Sequence, residues 1–118
     1  MDWENLIEYE SLRIQKQFAG EIRFGPTFFS LNSNPEIKEL NNKIFGDWFY
    51  KHNSTIYLQQ WNSTRNPDIN LISINIFTLE YKIVLENIKS VFGKMRCRNN
   101  QLYFVDKYNK KEYLITAS

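Results

Sequence analysis

The chain has 118 residues, of which 42% are hydrophobic and 24% charged, and this composition is typical of one globular domain rather than of a disordered segment. Its single cysteine excludes an internal disulfide bond, and it lacks the apolar runs of a signal peptide or a membrane span. We therefore expect one cytoplasmic domain over residues 1–118, and the net charge of +2 is weak for a dedicated nucleic-acid binder.

The first predicted element is a short N-terminal helix or irregular arm. The apolar residues with helical spacing in this segment are Leu6, Ile7, Ile14 and Phe18. A strand that begins near Leu12 fits the segment almost as well. Residues 21–31 then alternate as a strand does, although Pro26 has no N–H group to donate. Such a strand should lie at a sheet edge or contain a bulge.

A helix is predicted from Pro35 to about Phe45. Asn34 is a suitable N-cap residue, Pro35 would occupy the first helical position, and Gly46 would end the helix. The apolar residues on one face of this helix would be Ile37, Leu40, Ile44 and Phe45. We expect the helix to lie across a sheet.

The rest of the chain follows the period of strands. The predicted strands are residues 47–51, 55–61, 69–77, 80–85, 93–98, 101–108 and 111–116. Asparagines at 53, 99 and 100 favour hairpin turns, because asparagine tolerates a positive φ angle. The sequence thus predicts an α+β fold with a meander-like antiparallel sheet of about seven strands. This sheet would either stay open under the helix or curl on itself.

The sequence lacks the usual catalytic and metal-binding patterns. The one histidine, His52, lies in a predicted turn, so a catalytic triad or a two-histidine site cannot be assembled. One histidine and one cysteine are too few for a typical zinc site, and the glycines form no phosphate-binding loop. Carboxylate pairs such as Glu80 and Glu86 have no spacing that demands a site. We therefore expect no enzymatic activity, no cofactor and no metal.

Charge is unevenly distributed along the chain. Residues 1–47 contain five basic and eight acidic side chains, whereas residues 89–118 contain seven basic and two acidic ones. Lys94, Arg96 and Arg98 alternate along one predicted strand, and Cys97 on its other face is expected to be buried. Aromatic residues follow these cations, as in proteins that bind single-stranded nucleic acid. The alternative is a solvated sheet face whose rings belong to the core.

The predicted hairpin at residues 45–62 is rich in large aromatic residues. Rings with polar tips are frequent anchors in protein interfaces. The partner-binding residues predicted on this basis are Trp48, Tyr50, Tyr57, Gln59, Trp61 and, in the following loop, Arg65. Alternate strand residues must face the core, so some of these rings should be structural.

Residues 20–80 resemble small bacterial immunity proteins of polymorphic toxin systems, including those of contact-dependent growth inhibition. The resemblance rests on R-F-G-P-T-F-F-S-L at 23–31, F-G-D-W-F-Y-K-H at 45–52 and I-Y-L-Q-Q-W-N-S at 56–63. It implies a cytoplasmic protein that binds a secreted toxin domain, often a nuclease, and covers its active site or substrate groove without any catalysis of its own.

The resemblance leaves the binding surface open. Immunity proteins against basic nucleases are often acidic, whereas this chain carries a net charge of +2. Either the partner is not strongly basic, or the acidic half of the chain binds it. The acidic candidates are Glu8, Glu10, Glu21, Glu36, Glu39 and Asp47. The second candidate function is a small domain that binds single-stranded nucleic acid, and exposed edge strands would also allow a homodimer.

Overall fold

The computed structural model describes residues 2–22 and 25–115, and these residues form strands almost throughout. The strands are β1 (Glu4–Tyr9), β2 (Leu12–Glu21), β3 (Thr27–Asn34), β4 (Ile44–His52), β5 (Thr55–Trp61), β6 (Ile69–Asn75), β7 (Tyr81–Ile88), β8 (Gly93–Arg98), β9 (Gln101–Asp106) and β10 (Lys111–Ile115). The helical content of the described ranges is one 3-10 turn, Lys38–Leu40, between β3 and β4.

The strands form two antiparallel sheets. In the large sheet, β1 to β7 lie side by side in chain order, and in the small sheet β9 lies between β8 and β10. Every hydrogen-bonded pair joins strands that are consecutive in the chain, so the predicted antiparallel pairing is confirmed. The prediction of one sheet of about seven strands is wrong, because the described residues form ten strands in two sheets. The predicted α+β class is wrong, because no α-helix occurs in the part of the chain that the structure describes.

The helix predicted from Pro35 to about Phe45 is wrong because tertiary pairing overrides the local pattern. Ile37 has extended backbone angles, and the 3-10 turn after it is only three residues long. Asn42 then has a φ of 61°, which leads the chain into β4. Ile44 and Phe45, assigned to the helix, instead pair with β5.

The segment between β3 and β4 still covers the large sheet. Ile37 and Leu40 are buried in one core with residues of β5 and β6. Ser33 accepts a hydrogen bond from the N–H group of Ile37 at 2.8 Å. The segment thus covers the sheet as the predicted helix would have done, but it does so with mostly non-helical backbone.

The predicted N-terminal helix is also wrong, because β1 and β2 form a hairpin. Ile7 lies opposite Ile14, and Glu10 in the turn has a φ of 53°. The alternative strand from near Leu12 is confirmed.

The strand predicted over residues 21–31 is not continuous, because β2 ends at Glu21 and β3 begins at Thr27, after Pro26. The predicted edge position is wrong, since β3 lies between β2 and β4, and the register shift between these strands occurs in β2, at Phe18 to Gly20.

The large sheet buries apolar side chains on both faces. Along β5, Ile56 and Leu58 lie in a first core, together with residues of β1 and β2 and of the segment between β3 and β4. Tyr57 and Trp61 point to the opposite face and lie in a second core with residues of the small sheet. The small sheet therefore covers one face of the large sheet and leaves its own outer face free.

Candidate functional site

The aromatic hairpin that was predicted to bind a partner lies between the two sheets. Tyr57 and Trp61 are 6% and 4% exposed, and Gln59 is 1% exposed. The ring of Trp48 stacks on that of Phe104 in β9, with centroids 6.5 Å apart. Packing in the second core therefore accounts for these side chains. Their role as partner-binding residues stays a prediction, and their burial argues against it.

Gln59 connects this hairpin with the segment between the two sheets. Its side-chain oxygen accepts a hydrogen bond from Nε1 of Trp48 at 2.6 Å, and its Nε2 donates to the carbonyl oxygen of Val91 at 3.1 Å. Tyr50 packs half-buried against the same core, and burial raises the pKa of Tyr57. The polar tips of Trp48 and Gln59 thus make internal hydrogen bonds, whereas the buried Nε1 of Trp61 has no hydrogen-bond partner among the described residues.

The other predicted site residues are exposed, but the structure does not bring them to one place. Asp47 lines a groove beside the small sheet, whereas Arg65 lines a different groove at the far end of β5. Glu36 and Glu39 lie on the exposed side of the segment between β3 and β4. Burial, with the Glu39 carboxylate nearby, raises the pKa of Tyr81 to about 12.

The free outer face of the small sheet is a better candidate. Two rows of side chains cross it, because Arg96 lies opposite Tyr103 and Tyr103 opposite Leu114, while Val105 lies between Lys94 and Glu112. We call this surface the cationic face and define it by Lys94, Arg96, Arg98, Tyr103, Val105, Glu112 and Leu114. Phe104 and Leu102 of the same strand point inward and are buried.

Contacts within the cationic face fix some of its side chains. The Arg98 guanidinium lies 4.7 Å from the ring centroid of Tyr103 and donates a hydrogen bond to Glu112 at 2.8 Å. This bond lowers the pKa of Glu112 and raises the pKa of Arg98. Among the residues that the structure describes, no carboxylate lies within ion-pair distance of Lys94 or Arg96.

The cationic face therefore combines unpaired cations with exposed apolar surface. Leu114 on the edge strand β10 is 52% exposed, and Tyr103 lies between it and the cations of β8. Of the two acidic side chains in the basic C-terminal segment, Asp106 is fully buried, so Glu112 is the one that faces outward. The prediction of a buried Cys97 is wrong, since this residue is exposed, on the opposite face of β8 from these cations.

Sequence reasoning found the cations of this face but missed Leu114. The signal was available in the alternation of β10, because Ile115 is buried and its neighbour must point to the other side. The position of Leu114 beside Tyr103 depends on the register between β9 and β10. This register is set by the conformation of the turn that joins them, which the sequence pattern does not specify.

Other kinds of site receive no support from the described ranges. No group of three or more His, Cys, Asp or Glu side chains there could hold a metal ion. None of the described residues forms a helix long and apolar enough to cross a membrane. Comparison of the chain with protein-family models, curated proteins and solved structures gave no match. The resemblance to immunity proteins therefore stays a hypothesis.

Proposed function

We propose that this chain is a non-catalytic binding protein of the immunity type, which neutralises a cognate toxin domain in the bacterial cytoplasm. It would cover the active site or substrate groove of that domain. The observation that carries the proposal is the cationic face, where unpaired cations of β8 lie across Tyr103 from the exposed Leu114 of β10.

The composition and rigidity of the cationic face suit a protein interface. Arginine and tyrosine are enriched among the residues that contribute most to binding. The pairing of β8 with β9 runs from Gly93 to Arg98 without a register shift. The backbone of such a regular sheet loses little freedom on binding, which favours affinity.

The charge of the face indicates the kind of surface that it would cover. Arg96 and Lys94 would pair with carboxylates of the partner. Enzymes that cleave phosphodiesters with divalent metals collect carboxylates at the metal site, and such a site is an acidic target even on a basic protein. This arrangement also accounts for a net charge of +2, because the docking surface itself would be positive.

Co-expression tests the proposal. The toxin domain encoded beside this chain in its own genome would be induced in bacteria with and without the chain. We expect growth only when both are present and a complex of fixed stoichiometry on purification. Toxicity that the chain does not relieve, or the lack of a complex, would refute the proposal.

A further inference from the structure

Two connections at one end of the small sheet are joined by hydrogen bonds. One is the segment 89–92, which leads from β7 to β8, and the other is the turn 107–110 between β9 and β10. The N–H group of Lys107 donates to the carbonyl oxygen of Phe92 at 3.3 Å, and Nδ2 of Asn109 donates to the carbonyl oxygen of Lys89 at 3.4 Å. We call this pair of connections the aromatic double turn.

The buried carboxylate of Asp106 fixes both connections. It accepts hydrogen bonds from the N–H groups of Tyr108 and Asn109 at 3.1 and 3.2 Å, and from the side chain of Asn109 at 2.8 Å. Burial acts to raise the pKa of Asp106, but these bonds and one from Ser90 outweigh it, and the pKa is lowered. Ser90 in turn accepts from the N–H group of Phe92 at 3.1 Å.

This rigid backbone holds two aromatic rings out in solvent. Phe92 is 49% exposed and Tyr108 is 72% exposed, and their ring centroids lie 6.4 Å apart at an interplanar angle of 33°. The two rings touch each other with one side, so the other ring faces stay open. Rings kept in solvent by a fixed double turn contribute little to the core and are well placed to stack on a ligand.

Lysines lie near the two rings. A groove of about 490 Å³ next to Phe92 is lined by Trp48, Lys94 and Lys107, with Asp47 as its carboxylate. Lys110 is exposed in the same turn. No carboxylate among the described residues lies within ion-pair distance of these three lysines. The site thus offers exposed rings beside unpaired positive charge, which suits a ligand with flat bases and phosphates.

We propose that the aromatic double turn binds single-stranded nucleic acid, with bases stacked on Phe92 and Tyr108 and phosphates held by Lys94 and Lys107. Lys94 belongs to both surfaces, but the two rings lie outside the cationic face, so substitution of the rings tests this function separately from the toxin partner. Single strands are favoured over duplexes, since only unpaired bases present their flat faces to a ring. The groove sets no requirement for a particular base.

Fluorescence anisotropy with labelled oligonucleotides of about 12 nucleotides tests the proposal at about 50 mM salt. We expect the chain to bind single strands more tightly than a duplex of the same sequence. Phe92→Ala with Tyr108→Ala should weaken binding at least ~10-fold. The matched control is Phe77→Ala, since Phe77 is 69% exposed in the turn between β6 and β7 and should not affect binding.

The salt dependence of binding provides a second measurement, which tests the role of the lysines. Replacing Lys94 and Lys107 by glutamine should lower the slope of log affinity against log salt by about 1.4, since each phosphate contact on a single strand contributes about 0.7. Asp47→Asn should strengthen binding, because it removes the carboxylate from the groove. Unchanged thermal unfolding would show that each variant is folded.

Several results would overturn the proposal. The first is no binding of single strands at low salt. The second is binding that survives the loss of both rings or falls equally in Phe77→Ala. The third is displacement of the oligonucleotide by polyglutamate at equal charge concentration, which would assign the site to acidic protein segments. Each of these results leaves the toxin co-expression test unaffected, so the two proposals can fail separately.

Discussion

Substitution of Gln59 by leucine tests whether the predicted partner residues of the hairpin are structural. Leucine has a similar volume, but it leaves the indole N–H of Trp48 and the carbonyl of Val91 without the hydrogen bonds at 2.6 and 3.1 Å. Each buried group left unpaired destabilises a protein by about 1–3 kcal/mol. Since Trp48 is partly exposed, we expect a total loss of about 2–4 kcal/mol in the free energy of unfolding.

Urea and thermal unfolding measure this loss. For a chain of this size, about 4 °C in Tm corresponds to each kcal/mol, so the Tm should fall by roughly 8–16 °C. Gln101→Leu is the control, because Gln101 is exposed and should leave the Tm nearly unchanged. Trp48→Phe should lower the stability less in Gln59→Leu than in the parent, because both substitutions remove the same bond. A Gln59→Leu protein as stable as the parent would refute the structural role.

Two further substitutions test the small sheet. The lowered pKa of Asp106 means that its carboxylate stabilises the fold above the ordinary value of about 3.9 and loses that effect as the pH falls through the lowered pKa. Asp106→Asn should therefore be less stable than the parent at neutral pH, with a difference in urea midpoint that narrows in acid; a constant difference would contradict this. A Cβ at Gly93 would collide with the buried ring of Phe104, so Gly93→Ala should lose about 1–3 kcal/mol. Gly46→Ala is its control, with the nearest atoms 3.5 Å away, and equal melting temperatures for the two variants would contradict the packing argument.

The strands and hairpin turns could be predicted because their signals are local. Asn53, Asn99 and Asn100 all have positive φ angles in two-residue turns, as their chemistry suggests. The predicted bounds of β5 and β8 agree with the structure, at Thr55–Trp61 and Gly93–Arg98. Alternating residues between such turns specify hairpins with little help from the rest of the fold.

The division into two sheets could not be predicted from local patterns. The second core forms because β5 is buried on both faces, and Tyr57 and Trp61 then look the same in sequence as exposed rings of an interface. The helix at 35–45 failed for a related reason, since Ile44 and Phe45 pair with β5. The second core joins β5 to the small sheet, and Ile44 lies opposite Trp61 at the far end of the β4–β5 hairpin, so neither contact is visible in a local pattern.

The candidate site lies on the cationic face rather than on the predicted hairpin, and this too depends on contacts that a local pattern does not show. The cations at Lys94, Arg96 and Arg98 were recognised from their alternation, which the structure confirms. Their neighbours depend on the registers of β8, β9 and β10, which place Tyr103 beside Arg96 and Leu114 on the other side of Tyr103. Phe92 is exposed because hydrogen bonds to a distant turn hold it out of the core, and no local pattern contains that information.

The most direct test of the proposed function is the affinity of the purified toxin domain for two charge-reversed variants. Arg96→Glu changes the cationic face, and Arg65→Glu changes an equally exposed arginine on another surface. Calorimetry should show that Arg96→Glu weakens binding at least ~10-fold, or about 1.4 kcal/mol, while Arg65→Glu binds as the parent does. Unchanged affinity for Arg96→Glu, with a loss for Arg65→Glu, would contradict the docking of the toxin on the cationic face.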